Sequence, residues 1–224
     1  MTTDRKPLDI KICGLKTDVA LEAALAGGAS HVGFIFFPKS PRNIEPDAAG
    51  RLRQAARGKA SAVAVTVDAD DAFLDRIVAA MAPDMLQLHG SEMPARAAEI
   101  RARYGLPVVK AFSVRTASDL AAIEPYRGIV DRFLFDAKPP KGSELPGGNG
   151  VSFDWALLAR VPAGTDYFLS GGLNAANIGE ALRVAAPPAI DISSGVENAP
   201  GLKDPALIEV FFRAVKDSAK HRAA

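Results

Sequence analysis

Cys13 is the one cysteine of this 224-residue chain, and it ends a short apolar run, Leu8–Cys13, directly before Gly14. A lone cysteine is by default a small buried hydrophobe. Alternation along the run, however, puts Cys13 on one face with Asp9 and Lys11, opposite Leu8, Ile10 and Ile12. A thiol with a reference pKa of about 8.5 holds a few per cent thiolate at neutral pH, enough for a general base where cations assist. Asp136 closes the apolar run Phe133-Leu134-Phe135. It is either a turn cap or a partly desolvated carboxyl suited to donating a proton. A base and an acid on two sides of one ligand suit isomerisation, in which one proton leaves and another arrives nearby.

Two late segments point to an anion. Ser170-Gly171-Gly172-Leu173-Asn174 and Asp191-Ile192-Ser193-Ser194-Gly195-Val196-Glu197 each follow an apolar run. Glycines let backbone N–H groups approach an anion, and a helix N-terminus adds favourable partial charge. Both can also be ordinary turns, but their recurrence on the last two strands favours a phosphate-bearing substrate. Arg42, in the proline-punctuated stretch Phe36–Asn43, either grips a carboxylate with its fork in a bidentate manner or is a merely solvated loop arginine. His89 stands at the end of Leu86-Gln87-Leu88, where it either lines a site or is a satisfied strand-end histidine. Ala137–Gly150, rich in proline and glycine, reads as a mobile lid beside Asp136. His31 and His221 read as structural or solvated.

These residues need a scaffold. Eight β-rich runs recur: Leu8–Cys13, His31–Phe36, Ser61–Thr66, Asp84–Leu88, Pro107–Ala111, Asp131–Phe135, Tyr167–Ser170 and Ala189–Ile192. Segments with apolar residues at helical spacing separate them, as in Val19, Ala23 and Ala26. Thr17, Asp70, Ser91 and Asn174 are candidate N-caps, and Pro205 suits a first helical turn. Gly27-Gly28, Gly58 and Gly105 fall where C-cap glycines belong. Eight strand–helix units demand parallel crossovers and suit one (β/α)8 TIM barrel over residues 1–224 better than an open doubly wound sheet. The alternating face carrying Lys11 and Cys13, and Arg132, Leu134 and Asp136, then points into the barrel. Cys13, His89, Asp136 and Asp191 lie at or near C-terminal strand ends, where this fold carries its sites.

Composition narrows the partners. Apolar residues make up 48% and charged residues 24%, which is the balance of a globular chain rather than a disordered one. A net charge of +1 argues against a nucleic-acid partner. One cysteine makes no intramolecular disulfide, no apolar stretch reaches membrane-spanning length, and the opening residues lack a signal-like apolar core. The expectation is a cytoplasmic protein with no membrane partner, as a monomer or homodimer. No Cys-x-x-Cys or His-x-x-x-His spacing suggests a metal.

Taken together, Lys11-Ile-Cys-Gly14, Gly33-Phe-Ile-Phe36 with Ser40-Pro-Arg42, Leu86-Gln-Leu-His-Gly90 and Phe135-Asp136 resemble the phosphoribosylanthranilate isomerase family of tryptophan biosynthesis. Gly147-Gly-Asn-Gly150 with Phe153-Asp-Trp155, Ser170–Leu173 and Asp191–Glu197 continue the resemblance in order along nearly the whole chain. It implies an Amadori rearrangement of N-(5-phosphoribosyl)anthranilate, without cofactor or metal. It further implies Asp136 as general acid, Cys13 as general base and Arg42 as holder of the anthranilate carboxylate. Gly171, Gly172, Ser193, Ser194 and Gly195 match the phosphate loops, Asp191 a mouth aspartate, and His89 a mouth histidine. Asn149 departs from the threonine often found there, and the prolines of Ala137–Pro140 also differ; both bear on the lid. A related histidine-pathway isomerase normally ends its first strand in aspartate, and Cys13 counts against it. Ribulose-phosphate epimerases need metal-binding histidines that have no match. A non-catalytic phosphate binder has no reason to keep Cys13 and Asp136 together.

Overall fold

The computed structural model describes residues 7–138, 142 and 145–221, with side chains as far as residue 218. Parts of the expected lid, at 139–141 and 143–144, lie outside the described residues, as do residues 1–6 of the opening and the side chain of His221.

Eight parallel strands close into a barrel in sequence order: β1 (Asp9–Cys13), β2 (His31–Phe36), β3 (Ser61–Thr66), β4 (Met85–Leu88), β5 (Val108–Val114), β6 (Arg132–Ala137), β7 (Tyr167–Leu169) and β8 (Ala189–Ile192). Among the described residues six α-helices cover it: α1 (Asp18–Gly27), α2 (Pro46–Ala56), α3 (Asp71–Met81), α4 (Pro94–Tyr104), α5 (Ile178–Ala185) and α6 (Pro205–His221). The TIM barrel expected from the strand rhythm is therefore present. It departs from strict strand–helix alternation after β5 and β6, where 3-10 segments Ala117–Tyr126 and Trp155–Arg160 replace α-helices. Pro125 within the first lacks an N–H and crowds the carbonyl four residues back, which disfavours an α-helix there.

Local chemistry explains the other boundaries. Thr17 and Asp70 cap α1 and α3 by accepting the N–H groups of Ala20 and Phe73. Ser91 does not cap α4, which starts at Pro94; its hydroxyl bonds Asp68 instead. Asn174 likewise sits one turn ahead of α5, accepting from Ala176 and Asn177. Gly28 and Gly105 end α1 and α4 in the left-handed conformation, with φ of 102° and 62°.

The parity of the strands decides what faces inward. Ile10 and Ile12 of β1, and Phe133 and Phe135 of β6, belong to the large core under the helices. Val109, Ala111, Leu134, Phe168 and Ala189 fill the barrel, and Cys13, Val63 and Val65 form the apolar layer above. The barrel floor is sealed by polar and aromatic groups. Arg132 lies over the Phe168 ring at 4.5 Å and pairs with Asp9 at 3.0 Å and Asp166 at 2.8 Å. His31 meets the Phe168 ring edge-on at 5.2 Å, and its Nδ1 hydrogen-bonds the Ser30 hydroxyl. It is structural, as one of its two sequence readings held.

Burial pushes the His31 imidazole down to about 4, despite the opposing charge of Asp9. A base whose folded pKa is depressed binds its proton more readily in the unfolded chain. His31 therefore leaves stability intact above the unfolded value of about 6.5 and removes it as pH falls toward 4, by about 3 kcal/mol in all. Urea unfolding of the wild type and His31→Gln across that window should show this loss in the wild type and a flatter dependence in the variant. Equal slopes would remove His31 as the cause.

Candidate active site

The C-terminal ends of the strands converge on one cleft. Its lining includes Cys13, Arg42, His89, Asp136, Asp191 and Ser193, with Ser170–Leu173 and the lid residues Leu145–Gly148. Of the residues singled out in the sequence, Gly171, Gly172 and Ser194 also line it. Gly195 does not: a Cβ there would sit 1.9 Å from the Leu173 carbonyl oxygen, so this glycine lets the loops after β7 and β8 touch backbone to backbone. Gly171 and Gly172 have φ of 91° and 62°, and a Cβ on Gly172 would meet Val151 at 2.7 Å. The Ser193 hydroxyl is already committed, donating to the Cys13 carbonyl at 3.1 Å and accepting from Lys203 at 3.2 Å.

Cys13 ends β1, facing inward beside Lys11. The Lys11 ammonium is fully buried and donates to Asp191 Oδ1 at 2.9 Å. Asp191 also accepts from Ser170 at 3.4 Å, so its carboxylate is held inside the barrel by protein groups. Burial pushes the Cys13 thiol up, assisted by the Asp191 charge and opposed by Lys11 and Lys203. The expectation that cations assist the thiol is met by their presence, but burial outweighs them. Burial also acts to lower Lys11, yet the charges of Asp191 and Cys13 overcome it and hold the ammonium above its ordinary value.

Asp136 ends the inward face of β6. Its Oδ1 accepts the Ala137 N–H at 2.8 Å, and its Oδ2 faces His89 Nε2 at 3.6 Å. The other His89 nitrogen lies 3.0 Å from the side-chain amide of buried Gln87. The turn bearing His89 is clamped from outside the barrel. Buried Lys110 donates to the Gly90 carbonyl at 2.7 Å and pairs at 3.0 Å with Glu92, which accepts the N–H groups of Asp68 and Gly90. The lid seats on the acid: a Cβ on Gly147 would stand 2.5 Å from Asp136 Oδ2 and 2.6 Å from His89 Nε2.

Arg42 is buried rather than solvated, and its fork is occupied by the protein itself. Its Nε and Nη2 each donate at 2.8 Å to the two oxygens of Glu197, and Nη2 reaches the Gly148 carbonyl at 3.2 Å. Nη1 lies beside Gly148, where a Cβ would approach it to 2.6 Å. Glu197 also pairs with Lys203. Burial pushes the Glu197 carboxyl up, but Arg42 and Lys203 prevail and hold it below its usual range. Lys203 is lowered, because its burial outweighs Glu197. Glu197 and Lys203 belong to a hairpin of β9 (Glu197–Ala199) and β10 (Leu202–Lys203) that stands behind the site.

Sequence reasoning missed Glu92, Glu197 and Lys203 as organisers of the site, and Lys11 was noted only for its face. The periodicity that put Lys11 beside Cys13 was a usable signal. No local pattern announced that Glu197 would meet Arg42 from 155 positions away. Among the described residues, no group of three potential metal ligands converges, and no helix is long and apolar enough to cross a membrane.

Comparison with known proteins places this geometry. The family model for N-(5'-phosphoribosyl)anthranilate isomerase matches residues 10–214. The chain is 75% identical over 217 residues to the N-(5'-phosphoribosyl)anthranilate isomerase of Mesorhizobium japonicum, covering 97% of this chain and 99% of that one. It is 71% identical over 211 residues to that of Brucella abortus, covering 94% and 95%. A phosphoribosyl anthranilate isomerase from Thermotoga maritima superposes with a TM-score of 0.84 at 32% identity, covering 94% of this chain and all of that one. Another, solved with reduced 1-(o-carboxyphenylamino)-1-deoxyribulose 5-phosphate, gives a TM-score of 0.81 at 31% identity, over 94% of this chain and all of that one.

The contacts of Gly147 carry a prediction. Gly147→Ala should unseat the lid from Asp136 and His89 and lower kcat/KM by about 10²-fold, as a misplacement of about 1 Å does elsewhere. Thermal unfolding should be nearly unchanged. Wild-type turnover in the variant would show that lid seating on this pair is dispensable.

Proposed function

The chain belongs to the N-(5'-phosphoribosyl)anthranilate isomerase family, and from that premise we propose that Asp136 and Cys13 carry out its rearrangement as general acid and general base. The protein is an isomerase of tryptophan biosynthesis acting on a phosphorylated small molecule. The observation that carries the finer reading is the position of the two groups: Cys13 from β1 and Asp136 from β6 line one cleft, with the glycine loops after β7 and β8 between them.

In this reading the phosphate of N-(5-phosphoribosyl)anthranilate sits against the loops of Gly171, Gly172 and Ser194, where glycine backbones leave room for an anion. The Ser193 hydroxyl is held by Cys13 and Lys203, and the tight backbone contact at Gly195 shapes the same loop. Asp136 gives its proton to the furanose ring oxygen while the bond from C1 to that oxygen breaks, and the nitrogen lone pair forms a protonated Schiff base. The Cys13 thiolate then takes the C2 proton. The C2–H electrons become the C1–C2 double bond, and the C=N pair returns to nitrogen, giving an enolamine. Loss of the enol proton and protonation at C1 complete the ketone.

His89 Nε2, beside Asp136 Oδ2, is placed to stabilise the carboxylate left after proton donation. Arg42 offers Nη1 to the anthranilate carboxylate. A two-point grip also requires Nη2 to exchange the Gly148 carbonyl for the ligand, which ties carboxylate binding to lid position. Asp191 orients Lys11 at the base of the cleft and meets substrate from below. No metal or cofactor enters these steps.

Turnover is read as decay of anthranilate fluorescence when the protein meets freshly generated substrate, against spontaneous hydrolysis. Cys13→Ala and Asp136→Asn should each lower kcat by at least about 10²-fold with modest change in KM. Because burial pushes the Cys13 thiol up, kcat/KM should keep rising with pH above the ordinary thiol range as the base loses its proton. Wild-type turnover in either variant would remove that residue from its role, and no enzyme-dependent decay by folded wild type would overturn the whole reading.

A further inference from the structure

Lys11 has no part in the steps above, yet it is the largest fully buried side chain inside the barrel mouth and lies two residues before the base. Its position depends on a missing side chain. A Cβ built on Gly33, across from it on β2, would stand 3.1 Å from Lys11 Nζ and 3.0 Å from Cys13 Sγ. Ammonium and sulfur thus share the space that Gly33 leaves open. On its other side Lys11 donates to Asp191 Oδ1 at 2.9 Å. A buried ion pair is by itself weak support for a fold, since an apolar pair of similar volume often serves as well. A lysine placed beneath a buried thiol has a further use.

We propose that Lys11 is a positioning residue for the base: its ammonium is the counter-charge that allows Cys13 to exist as a thiolate in a buried cleft, and Asp191 holds that ammonium beneath the sulfur. The proposal rests on the reading of Cys13 as the base. Lys11 keeps its proton throughout. When the thiolate removes the C2 proton an S–H bond forms and the C2–H bond breaks, so the ammonium loses its partner charge and relaxes toward Asp191. Asp191 acts in two senses, fixing the cation while its own negative charge opposes the thiolate. The other charged or titratable groups around the sulfur are Lys203 on β10, which favours the thiolate, and Arg42, His89 and Asp136 across the cleft.

With one cysteine and three tyrosines in the chain, the ultraviolet thiolate absorbance left after subtracting an identical titration of Cys13→Ala reports Cys13 alone in the ligand-free full-length protein. Lys11→Met should raise the titration midpoint by about one unit or more, and Asp191→Asn should lower it by a comparable amount. Loosened packing in either variant would instead relax the buried thiol downward in both. A midpoint in Lys11→Met that is unchanged or lower overturns the proposal.

Should Lys11→Met fail to fold because Asp191 is left unpaired, the double variant Lys11→Met/Asp191→Asn, compared with Asp191→Asn alone, isolates the ammonium. The midpoint should be higher in the double variant by about one unit, and equality overturns the proposal. The base reading itself fails separately, through turnover retained in Cys13→Ala, whatever the titration shows.

Discussion

The barrel closes where β1 pairs with β8, and at that seam Lys11 meets Asp191 in register across 180 positions of sequence. Both side chains point inward, so closure itself creates a buried ion pair beneath the cleft. Neither charge tolerates that location alone, since removing one partner of a buried pair typically costs about 3–5 kcal/mol. The pair therefore ties the site to the integrity of the barrel. Cys13, Ser170 and the loop after β8 all take their positions from the same seam.

A second charged network organises the rim. Glu197 is gripped by Arg42 from the loop after β2 and by Lys203 from β10, while Lys203 also donates to the Ser193 carbonyl at 3.0 Å. One short hairpin thus links the arginine on one side of the cleft to the glycine- and serine-rich loop on the other. Gly201 shows how close that packing is, since a Cβ there would lie 2.3 Å from the Pro41 carbonyl oxygen. Opposite, Lys110 and Glu92 play the same part for the turn that carries His89. The site is held by buried charges outside its own lining, each neutralised within the protein, so that the lining groups need few rotamers of their own.

Much of this was legible in the residues, for identifiable reasons. The strands are short, β-branched and bounded by turn formers, and all eight begin at the expected residue or its neighbour. Inner and outer faces follow from simple alternation, which puts Cys13 and Asp136 inside the barrel. Helix starts were less legible: Ser91 and Asn174 have the chemistry of caps, but each is drawn to a tertiary or turn partner and the helix begins later. The 3-10 segments were not anticipated, because apolar spacing over so few residues does not distinguish them from α-helix. Arg42 was read as a free fork, whereas Glu197 occupies it.

Period, turn chemistry and motif order are local properties, and from them the sequence by itself determined the barrel, its inward face, the two glycine loops and the family. What only the tertiary structure decided is which charges meet. Ion pairing depends on distance through space, and barrel closure brings together residues that lie far apart along the chain. Glu197 on Arg42, Lys11 on Asp191 and Gly147 on Asp136 are therefore absent from any window of sequence. The state of the thiol belongs with them, because its burial and the cations that oppose it come from strands and loops that only the closed barrel assembles.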